Sequence, residues 1–128
     1  MKIPIIVLST LLALFLLSTC YYDSQEYLYP ELTKCDSAYY ANITYTQSVV
    51  PILQNNCLSC HSNSTATSFG GNIKLEDYPD VKIRVDDHKL LNSITWSSSY
   101  KMPLNAPKLD NCSITTISLW IDAGAPNN

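Results

Sequence analysis

Asn56-Cys57-Leu58-Ser59-Cys60-His61 is the stretch on which the reading of this chain turns. Two thiols three positions apart stand about one turn apart on a helix, and His61 follows the second directly. Upstream, Thr46 to Asn56 reads as a helix. Val49, Val50, Ile52 and Leu53 give it an apolar face ahead of Cys57. Pro51 is expected in its first turn or so, where a missing N–H costs little. Downstream, Ser62 to Asn72 is rich in Ser, Thr and Asn, contains Gly70-Gly71, and reads as a loop.

Cys-x-x-Cys-His is the attachment pattern of c-type haem. Thiols one turn apart suit addition to the two vinyl groups of the macrocycle, and the adjacent imidazole suits coordination of the iron. As a bare pattern it is only moderately specific, and three other readings stand beside it. Cys57 and Cys60 would make half of a zinc site, but no second Cys-x-x-Cys exists, and Cys35 and Cys112 are single and distant. A thioredoxin-like redox pair would sit beside a βαβ pattern, which is missing. A simple Cys57–Cys60 disulfide would leave His61 as a surface residue.

An iron held by His61 has a second face. Downstream of the leader described below, Met102 is the only methionine, in Lys101-Met102-Pro103. A lone methionine is ordinarily core filler. Here it sits in a polar, proline-bearing loop, which favours a thioether held for ligation. His88 is the rival ligand. It lies among charged neighbours in Val85-Asp86-Asp87-His88-Lys89, the setting of a solvated histidine at the start of a helix.

That helix is expected over Asp86 to Ile94, with a shorter turn near Tyr78 to Lys82. Near the C-terminus, Asp110 or Asn111 supplies a cap. Ile114, Ile117 and Ile121 repeat at helical spacing, and Gly124 then Pro126 end the run. Trp120 falls on this helix.

The N-terminus is a leader. Lys2 precedes an almost wholly apolar run from Ile5 to Leu17, too short to span a bilayer. Leu17-Ser18-Thr19-Cys20 resembles a bacterial lipobox, so residues 1–19 are expected to be removed and Cys20 lipidated. Two or more acyl chains anchor a protein firmly. The alternative is an uncleaved anchor. Residues 20–34, with Tyr21, Tyr22, Tyr27 and Tyr29 among acidic positions, read as a tether, and 35–128 as the domain.

Eight basic residues face eleven acidic ones, for a net charge of −3, which argues against a nucleic-acid partner. Asn42-Ile43-Thr44 and Asn63-Ser64-Thr65 match the glycosylation pattern, but so short a pattern recurs by chance and is uninformative behind a bacterial leader.

Taken together, the upstream helix, Cys57-x-x-Cys60-His61, Gly70-Gly71, Lys101-Met102-Pro103 and Ile117-Ser118-Leu119-Trp120-Ile121-Asp122-Ala123-Gly124-Ala125-Pro126 resemble a monohaem class I cytochrome c domain carried on a bacterial lipoprotein. The resemblance implies a mostly α fold of three to four helices, with long loops wrapped around one covalently attached haem. It implies Cys57 and Cys60 as thioether sites, His61 as proximal ligand and Met102 as distal ligand. It also implies that the first and last helices cross beside the haem, with Trp120 near the crossing or simply in the core. The polar, glycine-poor approach Ser97-Ser98-Ser99-Tyr100-Lys101 departs from the family pattern.

Cys35 and Cys112 would share an oxidising compartment, where a disulfide persists and two free thiols are disfavoured. Their pairing would give the five cysteines a division of labour: one for lipid, two for haem, two for a staple. The expected function is a membrane-anchored electron carrier outside the cytoplasm, on the periplasmic or outer-surface face, meeting redox partners with basic surfaces. A haem-based gas or ligand sensor and a non-redox structural or adhesion lipoprotein are the alternatives. Catalysis is not expected, because two axial ligands leave the iron no place for substrate.

Overall fold

Thr44 starts the first helix: its hydroxyl accepts the amide of Gln47 at 3.1 Å. In the computed structural model, Cys35 and residues 39–128 are described. The leader, the lipobox at Cys20 and the tether lie outside the described residues. Among these residues all regular structure is helical and no strand occurs, as expected of a small α domain. A 3₁₀ turn (Tyr39–Asn42) and a π-helical turn (Tyr45–Val49) lead into α1 (Val50–Asn56). Then come α2 (Leu58–His61), α3 (Ala66–Phe69), α4 (Tyr78–Asp86), α5 (Lys89–Ile94) and α6 (Asn111–Asp122). No helix among them is long and apolar enough to cross a membrane.

Three expectations need correction. First, the helix expected over Thr46 to Asn56 is not one regular α-helix: a π turn over Tyr45–Val49 precedes α1, and Pro51 falls in the first turn of α1. Inside a regular helix its ring would meet the carbonyl four residues back. The turn before it is instead widened: the amides of Val49 and Val50 reach back five residues, to the carbonyls of Thr44 and Tyr45. Second, the stretch from Ser62 to Asn72 is not all loop, since α3 forms within it.

Third, the turn expected near Tyr78 to Lys82 is the nine-residue helix α4, and α5 does not begin at Asp86. The chain breaks at His88, whose φ of 59° is left-handed and cannot continue a helix. Asp87 organises that break. Its carboxylate accepts the Lys89 amide at 3.0 Å and pairs with Arg84 at 2.8 Å. His88 itself is exposed.

The core gathers one apolar stripe from each of the longer helices. Val49 and Leu53 come from the first helical segment, Val81 and Val85 from α4, Leu90 and Ile94 from α5, Ile117 and Trp120 from α6. The last helix packs on the first through Trp120, which stacks on Tyr45 at 5.3 Å. Tyr78 meets the Tyr45 ring edge-on at 5.1 Å. The two partly polar rings both close on the chain end: Tyr78 Oη donates to the Ala125 carbonyl and Trp120 Nε1 to that of Pro126. Thr116 is fully buried, and its hydroxyl is satisfied by the Cys112 carbonyl at 2.9 Å.

Helix α6 ends as the sequence indicated. Gly124 has a φ of 92°, and the amides of Gly124 and Ala125 return to the carbonyls of Ile121 and Trp120. This is a Schellman closure, with Ala125 buried beneath it. At its start Asp110 accepts the Ser113 amide at 2.9 Å and the Ser113 hydroxyl at 2.7 Å. Burial alone would raise the Asp110 carboxyl, but these hydrogen bonds outweigh it and hold the group below its ordinary value. A depressed value means that the cap's contribution is full above the ordinary carboxylate range and fades as pH falls through the folded-state value. Asp110→Ala should therefore cost about 1 kcal/mol at neutral pH. Urea unfolding should show the gap to wild type closing in acid; a gap that stays constant with pH would contradict the cap.

Cys35 and Cys112 are joined by a disulfide, 77 residues apart in the chain, with Cα atoms 5.7 Å apart. The pairing expected from the cysteine count is present, and it fixes the start of the described domain to the first turn of α6.

Candidate functional site

Cys57 is the joint between two helices. Its amide donates to the Leu53 carbonyl at 2.8 Å, completing α1. Its own carbonyl then accepts the amides of Cys60 and His61, at 3.1 and 2.9 Å. The motif is thus a separate single turn, α2, with Cys57 as its N-cap and Cys60 and His61 within it. Neither thiol is paired; Cys57 is half-buried and Cys60 exposed. Burial pushes the Cys57 thiol up to about 11, so it is neutral at pH 7. A redox-active Cys-x-x-Cys works through the opposite shift, because the thiolate is the nucleophile. Cys57 is therefore not set up as the attacking thiol of a redox pair.

His61 is oriented by two bonds to the far side of the following loop. Its Nδ1 lies 2.9 Å from the carbonyl oxygen of Ile73. A carbonyl only accepts, so Nδ1 carries the proton and donates it. In the neutral ring that leaves Nε2 with a free lone pair. The His61 carbonyl accepts the Leu75 amide at 2.8 Å, closing the neck of the loop. Asn63 adds two stitches: its amide reaches the Glu76 carboxylate at 2.6 Å and its side chain reaches Asp77 at 2.9 Å.

Gly70 makes this closure possible for a spatial reason. It is buried, and a Cβ there would stand 2.5 Å from the Cys60 carbonyl oxygen and 2.8 Å from His61 Nδ1. Its φ of −101° is open to any residue. Gly71 is the reverse case, at a φ of 58° with open space around it. The sequence singled out the glycine pair as a loop marker; which of the two is pressed against the motif emerges only from the fold.

Met102 is placed by a different part of the molecule. It is half-buried. Its amide donates to the Ser93 carbonyl at 3.1 Å, and its carbonyl accepts the Trp96 indole N–H at 2.9 Å. Lys101 Nζ sits 5.5 Å from the centre of the Trp96 ring. Ile73, Ser93 and Trp96 were not anticipated as site residues. The first two act through backbone carbonyls, which leave no mark in a sequence. Trp96 gave a faint signal, a large aromatic stranded in a run of serines. Around the two segments, Phe69, Tyr100 and Leu104 expose large apolar side chains, each more than two-thirds accessible.

No family model, curated protein or solved structure matches this chain.

Proposed function

We propose that this domain carries one covalently attached c-type haem and serves as an electron carrier held on a membrane by lipid at Cys20. The observation that carries the reading is the His61–Ile73 bond. It fixes the ring tautomer with Nε2 free, beside two unpaired thiols, and Gly70, lacking a Cβ, lets the Nδ1 side of the ring pack closely. The donor set fits the group. Cys57 and Cys60 would hold it as thioethers, His61 would be the proximal iron ligand, and Met102 the distal one. Phe69, Tyr100 and Leu104 supply apolar surface on the segments that carry these ligands. When bound, haem supplies one-electron chemistry between ferric and ferrous iron.

The residues themselves do the rest. Ile73 holds the imidazole at a set orientation, and its hydrogen bond raises the basicity of the ligating nitrogen. The Met102 thioether, as second ligand, would favour the ferrous state and raise the potential. Were His61 and Met102 both to hold the iron, no position would be left for substrate, which would suit electron transfer rather than catalysis. The acidic net charge of −3 suits brief encounters with partners that present basic surfaces.

The test is direct. Protein produced with a cytochrome c maturation system should keep haem after boiling in detergent, and the Cys57→Ala/Cys60→Ala variant should lose it entirely. Wild-type protein that carries no covalent haem, beside a control cytochrome that does, would overturn the reading. Rapid carbon monoxide binding to the ferrous protein, with a spectrum indifferent to Met102→Ala, would instead favour a ligand sensor.

A further inference from the structure

Trp96 has a backbone conformation that a bulky residue rarely adopts, with a φ of 63°. Non-glycine residues in this region carry a cost and persist only where the surroundings over-determine them. Here the surroundings are the last carbonyls of α5. The Trp96 amide donates to Ser93 at 3.2 Å, and the Ser97 amide to Asn92 at 3.0 Å. The Thr95 hydroxyl donates to Leu91 at 2.7 Å. The turn throws the indole back over the chain, where its N–H meets the carbonyl of Met102. The Met102 amide returns to Ser93. Both backbone polar groups of Met102 are therefore tied to the end of α5, whose Leu90 and Ile94 are locked in the core.

We infer that Trp96 is the positioning residue for Met102: its indole N–H holds the backbone of the methionine so that the thioether is kept available as an axial ligand. This rests on the haem reading above. Pro103 and the exposed Leu104 to Lys108 stretch give Met102 no comparable support from its other side. The Ser93 bond alone fixes one point, about which the peptide can rotate. The indole bond fixes a second. The strained turn at Trp96 is accounted for by the same function, since an ordinary φ would aim the ring elsewhere.

The test uses the haem-loaded, full-length protein and imidazole as a competing ligand for ferric iron. Trp96→Phe keeps a ring for Lys101 but removes the N–H. It should bind imidazole about tenfold more tightly than wild type, as one lost hydrogen bond predicts, and should weaken the red sulfur-to-iron charge-transfer band. In a Met102→Ala background the same substitution should have no effect, because there is no thioether left to position. An effect of equal size in both backgrounds would mean a merely structural role and would overturn the inference. So would tighter imidazole binding on Met102→Ala but none on Trp96→Phe, with methionine ligation intact. If Met102→Ala itself changes neither spectrum nor imidazole affinity, it is the ligation reading that fails, and the inference with it. Should Trp96→Phe not fold, benzothienylalanine at position 96 preserves the shape of indole without its N–H and makes the same comparison.

Discussion

Gly70→Ala is expected to destabilise the domain by about 3 kcal/mol, a large effect for one methyl group. The added carbon would meet the Cys60 carbonyl oxygen at 2.5 Å and His61 Nδ1 at 2.8 Å. The first is backbone, inside the single turn that carries the motif, and cannot swing aside. The second is the nitrogen bonded to Ile73. Relief therefore requires either that α2 move away from α3 or that the imidazole leave its acceptor. Both outcomes disorder the same site, so stability and covalent haem yield should fall together. Gly71→Ala is the control: it meets no atom within 4 Å and has only its φ of 58° to contend with, a cost of about 1 kcal/mol. Urea midpoints of the two variants give the comparison. Equal losses at both positions would show that conformation, not space, dictates the pair.

Removing the disulfide should cost still more. A closed loop of 77 residues is worth on the order of 4–5 kcal/mol in the chain-entropy treatment. A domain this small has a thin core, and folded domains in general hold only about 5–15 kcal/mol in reserve. The Cys35→Ala/Cys112→Ala variant should thus melt about 20 °C or more below wild type. An unchanged melting temperature would show that the crosslink restrains nothing that matters in the unfolded chain.

Much of this was legible in the residues, and what was not has physical causes. Asp110, Gly124 and the spacing of Ile117 delimit α6 because caps act locally and a twelve-residue helix repeats its period more than three times. Even there, the buried face is Thr116, Ile117 and Trp120, while Ile114 and Ile121 are only partly covered. Helix α4 was underestimated because Val81 and Val85 form a thin stripe, diluted by Lys82 and Arg84 and by Ile83, which is exposed. The π turn before Pro51 has no local signature. It arises because a proline must be absorbed within a helix whose apolar residues are needed on both sides of it. At the site, Cys57, Cys60 and His61 announce themselves by type and spacing. The groups that orient them, the Ile73 carbonyl and the missing Cβ of Gly70, are backbone features supplied by residues distant in sequence.

The Cys35–Cys112 link also makes most of the domain a covalent ring, with the motif, Met102 and five of its helices strung between the two sulfurs. A protease would find an accessible cut in the exposed Leu104 to Lys108 stretch. Such a cut would open the ring without dividing the molecule. The fragment bearing α6 would stay bound through Cys112 to the fragment bearing Cys35 and His61. Damage that would split a linear protein in two would here leave a nicked but undivided one.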